Sequence, residues 1–458
     1  MKVHLIAIGG SAMHNMAIAL HHKGIQVTGS DDEIVEPSKS RLENLGLLPK
    51  EIGWFPEKIT ADLDAVILGM HARIDNPELE RAKELNVKIY SYPEYIYEQT
   101  RSKTRIVIGG SHGKTSTTAM ILHVFEKCGI ETDYMVGAQL AGFDCMVKFS
   151  ETAKFAVIEG DEYLSSPIDR RPKFHLYYPN IAILTGIAWD HINVFPTFEN
   201  YVDQFRIFID HISPNGHLIY CENDQVLKDL CEGHTAEVFK YPYSTHPFKI
   251  DNGITYLLKD NDVYPLQIFG EHNLQNLNAA LIACRYAGIH DLDFYKAIAD
   301  FKGASKRLEL VWKNEECAVY KDFAHSPSKL KATTLAISQQ FPDRKLIACI
   351  ELHTFSSLNA DFLHEYEGSM SDADEALVYF NPHTIEHKKL PPITEEMVLK
   401  AFGGSNIQVF TDSTKLSEYL LSKKWKNSNL LMMSSGTFDG MDFKEMSSNF
   451  FRGISGMD

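Results

Sequence analysis

Nowhere in its 458 residues does the chain carry an apolar run approaching the roughly 20 residues that a membrane-spanning helix needs. Cysteine is scarce and scattered, at positions 128, 145, 221, 231, 284, 317 and 349. An odd number with no C-x-x-C pair argues against a zinc or disulfide framework and for reduced core thiols. Positive charge is in deficit as well. Lys and Arg number 45 against 61 Asp and Glu, a net charge of −16. That balance excludes broad nucleic-acid binding, which needs a basic footprint, yet local basic loops can still hold phosphate-bearing small molecules. Internal repeats and low-complexity segments are absent. The opening Met1-Lys-Val-His-Leu-Ile6 enters a strand directly and lacks a signal-peptide pattern, so a cytoplasmic protein without membrane insertion is expected.

What is present suffices for several cores. Apolar residues make up 44% of the chain, and its length suggests about three domains of ~150 residues. The organising stretch is Arg105 to Ser116. Ile106 to Ile108 reads as a buried strand, Gly109, Gly110 and Gly113 permit a tight turn, and Thr115 opens a helix to about Cys128. Met120, Ile121, Val124 and Phe125 fall at helical spacing, and Gly129 ends the pattern. A strand, a glycine-rich turn and a helix N-terminus aim backbone N–H groups and a positive dipole end at one point, where a phosphate can sit. Lys114 adds a charge for the outer phosphates, and the Thr115 hydroxyl can ligate Mg²⁺. The form, Gly110-Ser-His-Gly-Lys-Thr115, is shorter than the usual P-loop because Ile108 stands where its first glycine would be.

Residues 1–100 read as a small doubly wound α/β domain. Val3 to Ile8 is a strand, Gly9-Gly10 a turn, Ser11 to Lys23 a helix, and Ile25 to Gly29 leads to Ser30-Asp31. An acid after the second strand lies where a nucleotide ribose would sit. The strict dinucleotide fingerprint fails, because its glycine places read Ala7, Gly9 and Ala12; a plain βαβ corner is the alternative. Ala65 to Leu68 is a further strand, leading to His71 and to Asn76-Pro77-Glu78 at a helix start. The polar stretch Glu98 to Thr104 marks the first boundary.

The central region, 101–305, holds the strand Phe155 to Ile158, which delivers Glu159-Gly-Asp-Glu162 at its C-terminal end. Carboxylates there suit Mg²⁺ held against phosphates; a solvated acidic turn is the other reading. Ile181 to Ala188 is a strand followed by Trp189-Asp190-His191, and His191 is either a ligand or structural. His272, Asn273 and Asn276 stand at the start of a helix to Tyr286, where they could cap it or read a base edge. A third unit, 306–458, begins at Lys306-Arg307-Leu-Glu309. It has strands at 318–320, 346–350, 376–380, 407–410 and 430–433, with Asp322-Phe-Ala-His325 after the first and Ser434 to Gly440 after the last.

Together these stretches resemble the Mur ligases, the ATP-dependent amide-forming enzymes of peptidoglycan synthesis. The likeness rests on Ala7 to Met13, Asn76-Pro77-Glu78, Gly110 to Thr115, Glu159 to Glu162, Asp190-His191, His272-Asn273, Arg307-Leu-Glu309 and Asp322 to His325, all in the family's order. Asp161-Glu-Tyr163, Asp169 to Phe174 and Ser435 to Gly440 lean toward the murein peptide ligases among them, rather than the alanine-adding branch. Departures are Ala7 and Ala12 for glycines, Ser111 for a threonine, Lys321 and Ser326 for an acid and a histidine, and no arginine within His353 to Ser357.

The resemblance implies an α/β fold of three domains. These are a Rossmann-like domain for the UDP-sugar, a P-loop ATPase domain, and a Rossmann-like C-terminal domain that closes on ATP and binds the peptide. It implies an amide bond formed between UDP-N-acetylmuramate and a murein peptide amine, through an acyl phosphate. ATP would be bound by Gly110, Ser111, His112, Gly113, Lys114, Thr115 and Ser116, by His272, Asn273 and Asn276 at the adenine, and by Arg307 and Asp322. Thr115, Glu159 and His191 would hold Mg²⁺, and Lys114, His191, Arg307 and His325 would be catalytic. Gly9, Gly10, Ser11, Ala12 and Met13 would hold the UDP diphosphate. Ser30, Asp31, His71 and Asn76 would complete the substrate contacts, with Ser435 and Gly436 at the peptide. Two alternatives stand: an alanine-adding ligase of the same fold, and a nucleotide-binding regulator without turnover. Monomer and dimer both remain open.

Overall fold

The computed structural model describes residues 1–140, 142–305 and 307–443. Lys306, the expected start of the third unit, and the tail 444–458 lie outside the described residues. The chain divides into two compact units. Met1–Ile187, Glu199–Ser244 and Asn278–Ala297 form the first; Ala188–Phe198, Thr245–Leu277 and the chain from Ile298 onward form the second.

The first unit holds two sheets. A four-stranded parallel sheet runs in the order Gln26–Ser30, Lys2–Ile6, Ala65–Leu68, Ile89–Ser91. A seven-stranded sheet runs Phe239–Tyr243, His217–Cys221, Ile181–Leu184, Thr104–Gly109, Phe155–Glu159, Thr132–Met135, Val147–Lys148, parallel except at its last pair. The P-loop strand is thus central. Ile106, Val107 and Ile108 are fully buried, as a parallel strand covered on both faces requires.

The second unit holds a six-stranded sheet, Glu309–Lys313, Cys317–Asp322, Ser428–Met433, Lys345–Leu352, Glu375–Phe380, Ile407–Phe410, parallel apart from its first strand. Alternate residues go to opposite cores. Ala318, Tyr320, Ala348 and Ile350 pack on one face, and Cys317, Val319, Ile347 and Cys349 on the other, the period-2 pattern of a strand. Because both faces are covered, these strands read in the sequence as continuous apolar runs. A three-stranded antiparallel sheet, Phe248–Asp251, Ile254–Lys259, Asp262–Pro265, and the edge strand Glu309–Lys313 are additional to the expected elements. The first hairpin had a signal: Asn252-Gly253, with φ of 50° and 72°, is the pair that a two-residue hairpin turn prefers.

Two strand boundaries differ from those expected. The strand expected to reach Ala188 ends at Leu184; just beyond it the Thr185 hydroxyl donates to the carbonyls of Gly109 (3.2 Å) and His112. The strand expected to reach Ile8 ends at Ile6. There Ala7 adopts φ 67°, a left-handed conformation that costs a non-glycine residue roughly 1 kcal/mol. No helix among the described residues is long and apolar enough to cross a membrane.

Candidate functional site

The P-loop is built from its strand outward. Thr104–Gly109 delivers the chain to Gly110 and Gly113, at φ 135° and 79°, and the helix Lys114–Lys127 starts at once. Glycine is required at 110 twice over: its φ is left-handed, and a Cβ there would lie 2.1 Å from Thr185 Oγ1. The Lys114 ammonium does not project into solvent. It donates to the Gly110 carbonyl at 2.5 Å and to Glu162 Oε2 at 2.6 Å, with the two side chains 14% and 1% exposed. Burial works against the lysine's charge, but Glu162, Asp161 and Glu159 outweigh it and raise its pKa. Glu162 Oε1 accepts from the Tyr201 hydroxyl at 3.0 Å, and Tyr201 meets the Ser111 hydroxyl at 2.8 Å. The loop is therefore tied at both ends to one buried carboxylate.

Beside it, the Thr115 hydroxyl donates to Glu159 Oε1 at 2.7 Å, and Gly137 N–H to Glu159 Oε2 at 2.9 Å. A hydroxyl and a carboxylate, adjacent and hard, form a donor set that fits Mg²⁺. Lys114, Thr115 and Glu159, expected together, are brought together. Glu162 was part of the noted motif without a role. Tyr201 left no local trace, being 90 positions from Ser111 on the helix Phe198–Asp210.

The second unit assembles another set of expected residues. Asp190 Oδ2 lies 3.6 Å from Lys329 Nζ. Burial would raise the Asp190 pKa, but Lys329, His191 and His325 hold it well below the usual carboxylate range. His191, at φ 53°, donates its backbone N–H to Asp190 Oδ1 at 2.8 Å. His325 Nδ1 lies 2.8 Å from the Phe323 carbonyl; the carbonyl can only accept, so Nδ1 carries the hydrogen and Nε2 offers a lone pair. Burial, reinforced by Lys329, pushes the His325 pKa down to about 3. The Asp322 carboxylate is already engaged, accepting from Leu308 N at 2.7 Å and Ala324 N at 2.6 Å, and its pKa is raised by burial against the pull of Arg307. The Arg307 guanidinium stands 4.8 Å above the Phe323 ring. Lys329 was missed, although its place two residues after Pro327 at a helix start was a usable cue.

At the helix Glu271–Tyr286, Asn273 donates its side-chain amide to the Phe269 carbonyl at 2.9 Å, a tie to the chain before the helix and not a cap, since a capping side chain accepts from a helix N–H. Asn276 is buried and His272 half-buried. In the N-terminal sheet, Gly9 N–H is committed to Asp31 Oδ2 at 2.7 Å and Gly10 N–H to the Ala7 carbonyl at 3.3 Å, and Ser11, Ala12 and Met13 form the start of the helix Ser11–His22. Burial lifts the Asp31 pKa to about 6. Asn76 uses its side chain to cap the helix Pro77–Glu84, accepting from Glu78 N and Leu79 N. Ser30 accepts from Lys58 Nζ at 3.1 Å, and His71 is exposed. Ser435 and Gly436 belong to a loop folded over Glu351, whose Oε2 accepts from the Ser434 hydroxyl and from Phe438 N at 2.9 Å.

A P-loop on the central strand of a parallel sheet, with a carboxylate delivered by the next strand, defines a nucleotide-using α/β protein. Residues 2–104 match the Mur ligase family catalytic domain and residues 108–284 the Mur ligase middle domain. The chain is 32% identical to a UDP-N-acetylmuramate–L-alanine ligase of Limosilactobacillus reuteri, over 82% of this chain and 84% of that one. It is 27% identical to the UDP-N-acetylmuramate–L-alanyl-γ-D-glutamyl-meso-2,6-diaminoheptandioate ligase of Escherichia coli, over 97% of both. A solved UDP-N-acetylmuramate–alanine ligase from Thermotoga maritima shares the fold, with a TM-score of 0.69 at 20% identity over 99% of each chain. The chain belongs to the Mur ligase family and is an ATP-dependent ligase that forms carbon–nitrogen bonds in peptidoglycan biosynthesis.

Proposed function

We propose that the chain is a murein peptide ligase, joining UDP-N-acetylmuramate to L-alanyl-γ-D-glutamyl-meso-diaminopimelate. The observation that carries this is the loop Ser434 to Gly440. It is folded over Glu351 at the C-terminal ends of the second unit's sheet, the end at which α/β sheets take ligands, with Phe438 and Asp439 at φ 49° and 56°. Beyond its amine, free L-alanine offers such a wall only a methyl and one carboxylate; a tripeptide offers several further groups. The near full-length likeness to the Escherichia coli peptide ligase supports the same reading. The alanine-adding alternative is supported by the 32% identity to the Limosilactobacillus reuteri enzyme.

The chemistry follows from the substrates. A carboxylate is a poor electrophile, so the muramoyl carboxylate first takes the γ-phosphoryl group of ATP and releases ADP. The peptide amine then attacks the acyl phosphate, and inorganic phosphate departs. The protein's task is positioning and charge neutralisation. Lys114 and the N–H groups of the loop Gly110 to Ser116 would hold the phosphates, apart from the Ser111 N–H, which donates to the Gly186 carbonyl at 3.0 Å; Thr115 and Glu159 would hold Mg²⁺, which would supply charge neutralisation at the phosphoryl oxygens. His191 is assigned to a second such ion, Arg307 and Asp322 to the nucleotide, His272, Asn273 and Asn276 to the adenine, and His325 to the reaction centre through its Nε2 lone pair. In this reading residues 1–100 bind the UDP-sugar, 101–305 bind ATP, and 306–458 take the peptide. The test is phosphate release with UDP-N-acetylmuramate and a panel of acceptors. Much faster release with the tripeptide than with L-alanine is expected; preference for L-alanine would move the chain to the other branch.

A further inference from the structure

Beside the loop Ser434 to Gly440 lies a cleft of about 560 Å³ lined by His353, His383, Thr384, Glu386, His387 and Lys388. It sits beyond the C-terminal ends of two adjacent strands, Lys345–Leu352 and Glu375–Phe380, in the second unit. Two links tie it to the loop. Asp439 accepts from the Asn381 side-chain amide at 2.9 and 3.0 Å, and Asn381 in turn caps the helix Pro382–His387 by accepting from His383 N at 2.9 Å. His353 Nδ1 lies 3.8 Å from Glu351 Oε1, the carboxylate on which the loop rests. The charge set is mixed. Lys388 supplies one permanent cation, placed 4.8 Å over the Phe355 ring, and Glu386 one anion, 3.5 Å from His383 Nδ1. His383 and Glu386 are 91% and 77% exposed and so available to a ligand.

An anion on one short helix and a permanent cation at its C-terminal end, flanked by imidazole donors, complement a group that itself carries both signs. We infer that this cleft reads the zwitterionic far end of the acceptor, an ammonium and a carboxylate on one carbon, with Lys388 and His383 taking the carboxylate and Glu386 the ammonium. This inference rests on the peptide-ligase reading and assigns the work of the arginine missing between His353 and Ser357. It makes Lys388 and Glu386 specificity determinants for a diamino diacid at the third peptide position, since a lysine there presents the ammonium alone.

The experiment uses the full chain, ATP, Mg²⁺ and UDP-N-acetylmuramate, with two tripeptides that differ only in carrying meso-diaminopimelate or L-lysine at the third residue. The wild type is expected to show a KM about tenfold lower for the diaminopimelate peptide, the scale of one charge-assisted hydrogen bond. Lys388→Gln should close most of that gap, and Glu386→Gln should raise both KM values in parallel, with KM for ATP unmoved as the check on folding. Equal wild-type KM values for the two peptides, or a gap that survives Lys388→Gln, would overturn the inference while leaving the peptide ligase standing. Preference for L-alanine over both peptides would remove the parent reading and this one with it.

Discussion

Lys114 shows how much a single residue's surroundings alter its expected behaviour. As a mobile charge on an open loop it could be removed with little structural effect. Paired with Glu162, which is 1% exposed, it cannot. Lys114→Ala is expected to abolish phosphate release and also to lower stability by about 3 kcal/mol, because a buried carboxylate loses its partner. The double variant Lys114→Ala/Glu162→Gln should regain much of the melting temperature and none of the activity, which separates the two roles. Near-normal release from a folded Lys114→Ala protein would refute the P-loop reading. Asp31 carries a second residue-scale prediction. Burial raises its pKa to about 6, so the folded state holds its proton at pH values where the unfolded chain has lost it. Its contribution to stability is therefore fully present below the ordinary carboxylate value near 4 and is lost as pH rises through about 6. A carboxyl carbon NMR titration of Asp31 should show a midpoint near 6; a midpoint near 4 would contradict the burial argument.

Among the elements, those legible in the sequence are the ones whose signals are local. The strand–turn–helix at Thr104–Lys127 was readable because glycine, lysine and the apolar periods on either side lie within one short stretch. The Lys114–Glu162–Tyr201–Ser111 chain was not, since its members come from separate elements and only folding makes them neighbours. The same holds for the Asn381–Asp439 tie, 58 positions apart. The loop Ser434 to Gly440 was identified as a loop, but its packing on Glu351 had no sequence signature. That packing makes a testable demand. A Cβ on Gly436 would lie 2.7 Å from Glu351 Oε2 and 2.9 Å from His353 Cγ, so Gly436→Ala must push the loop off its support. Steady-state kinetics should show a several-fold rise in acceptor KM with KM for ATP unchanged. Asn76→Ala should cost about 1 kcal/mol through the lost cap of the helix Pro77–Glu84, measured by denaturant titration.

For the molecule as a whole, length and motif order indicated an α/β chain of about three domains, and the described residues include three large parallel-rich sheets. How segments recombine was beyond sequence, because residues 188–198 and 245–277 belong to a different compact unit from the stretches between them. Mg²⁺ with ADP should raise the melting temperature of the wild type, since a ligand that binds only the native state stabilises it by mass action. Thr115→Ala/Glu159→Gln should lose the part of that shift that needs Mg²⁺. An equal shift in wild type and double variant would remove the ion from Thr115 and Glu159. The Glu162 carboxylate that holds Lys114 also bears on life in a phosphate-rich medium. It is a resident competitor, tethered at an effective concentration no dissolved ion matches. A lone inorganic phosphate must displace it with one anchor, whereas a nucleotide arrives with several. The enzyme should accordingly resist product inhibition by phosphate, and clear its loop for the next ATP as soon as ADP lets go.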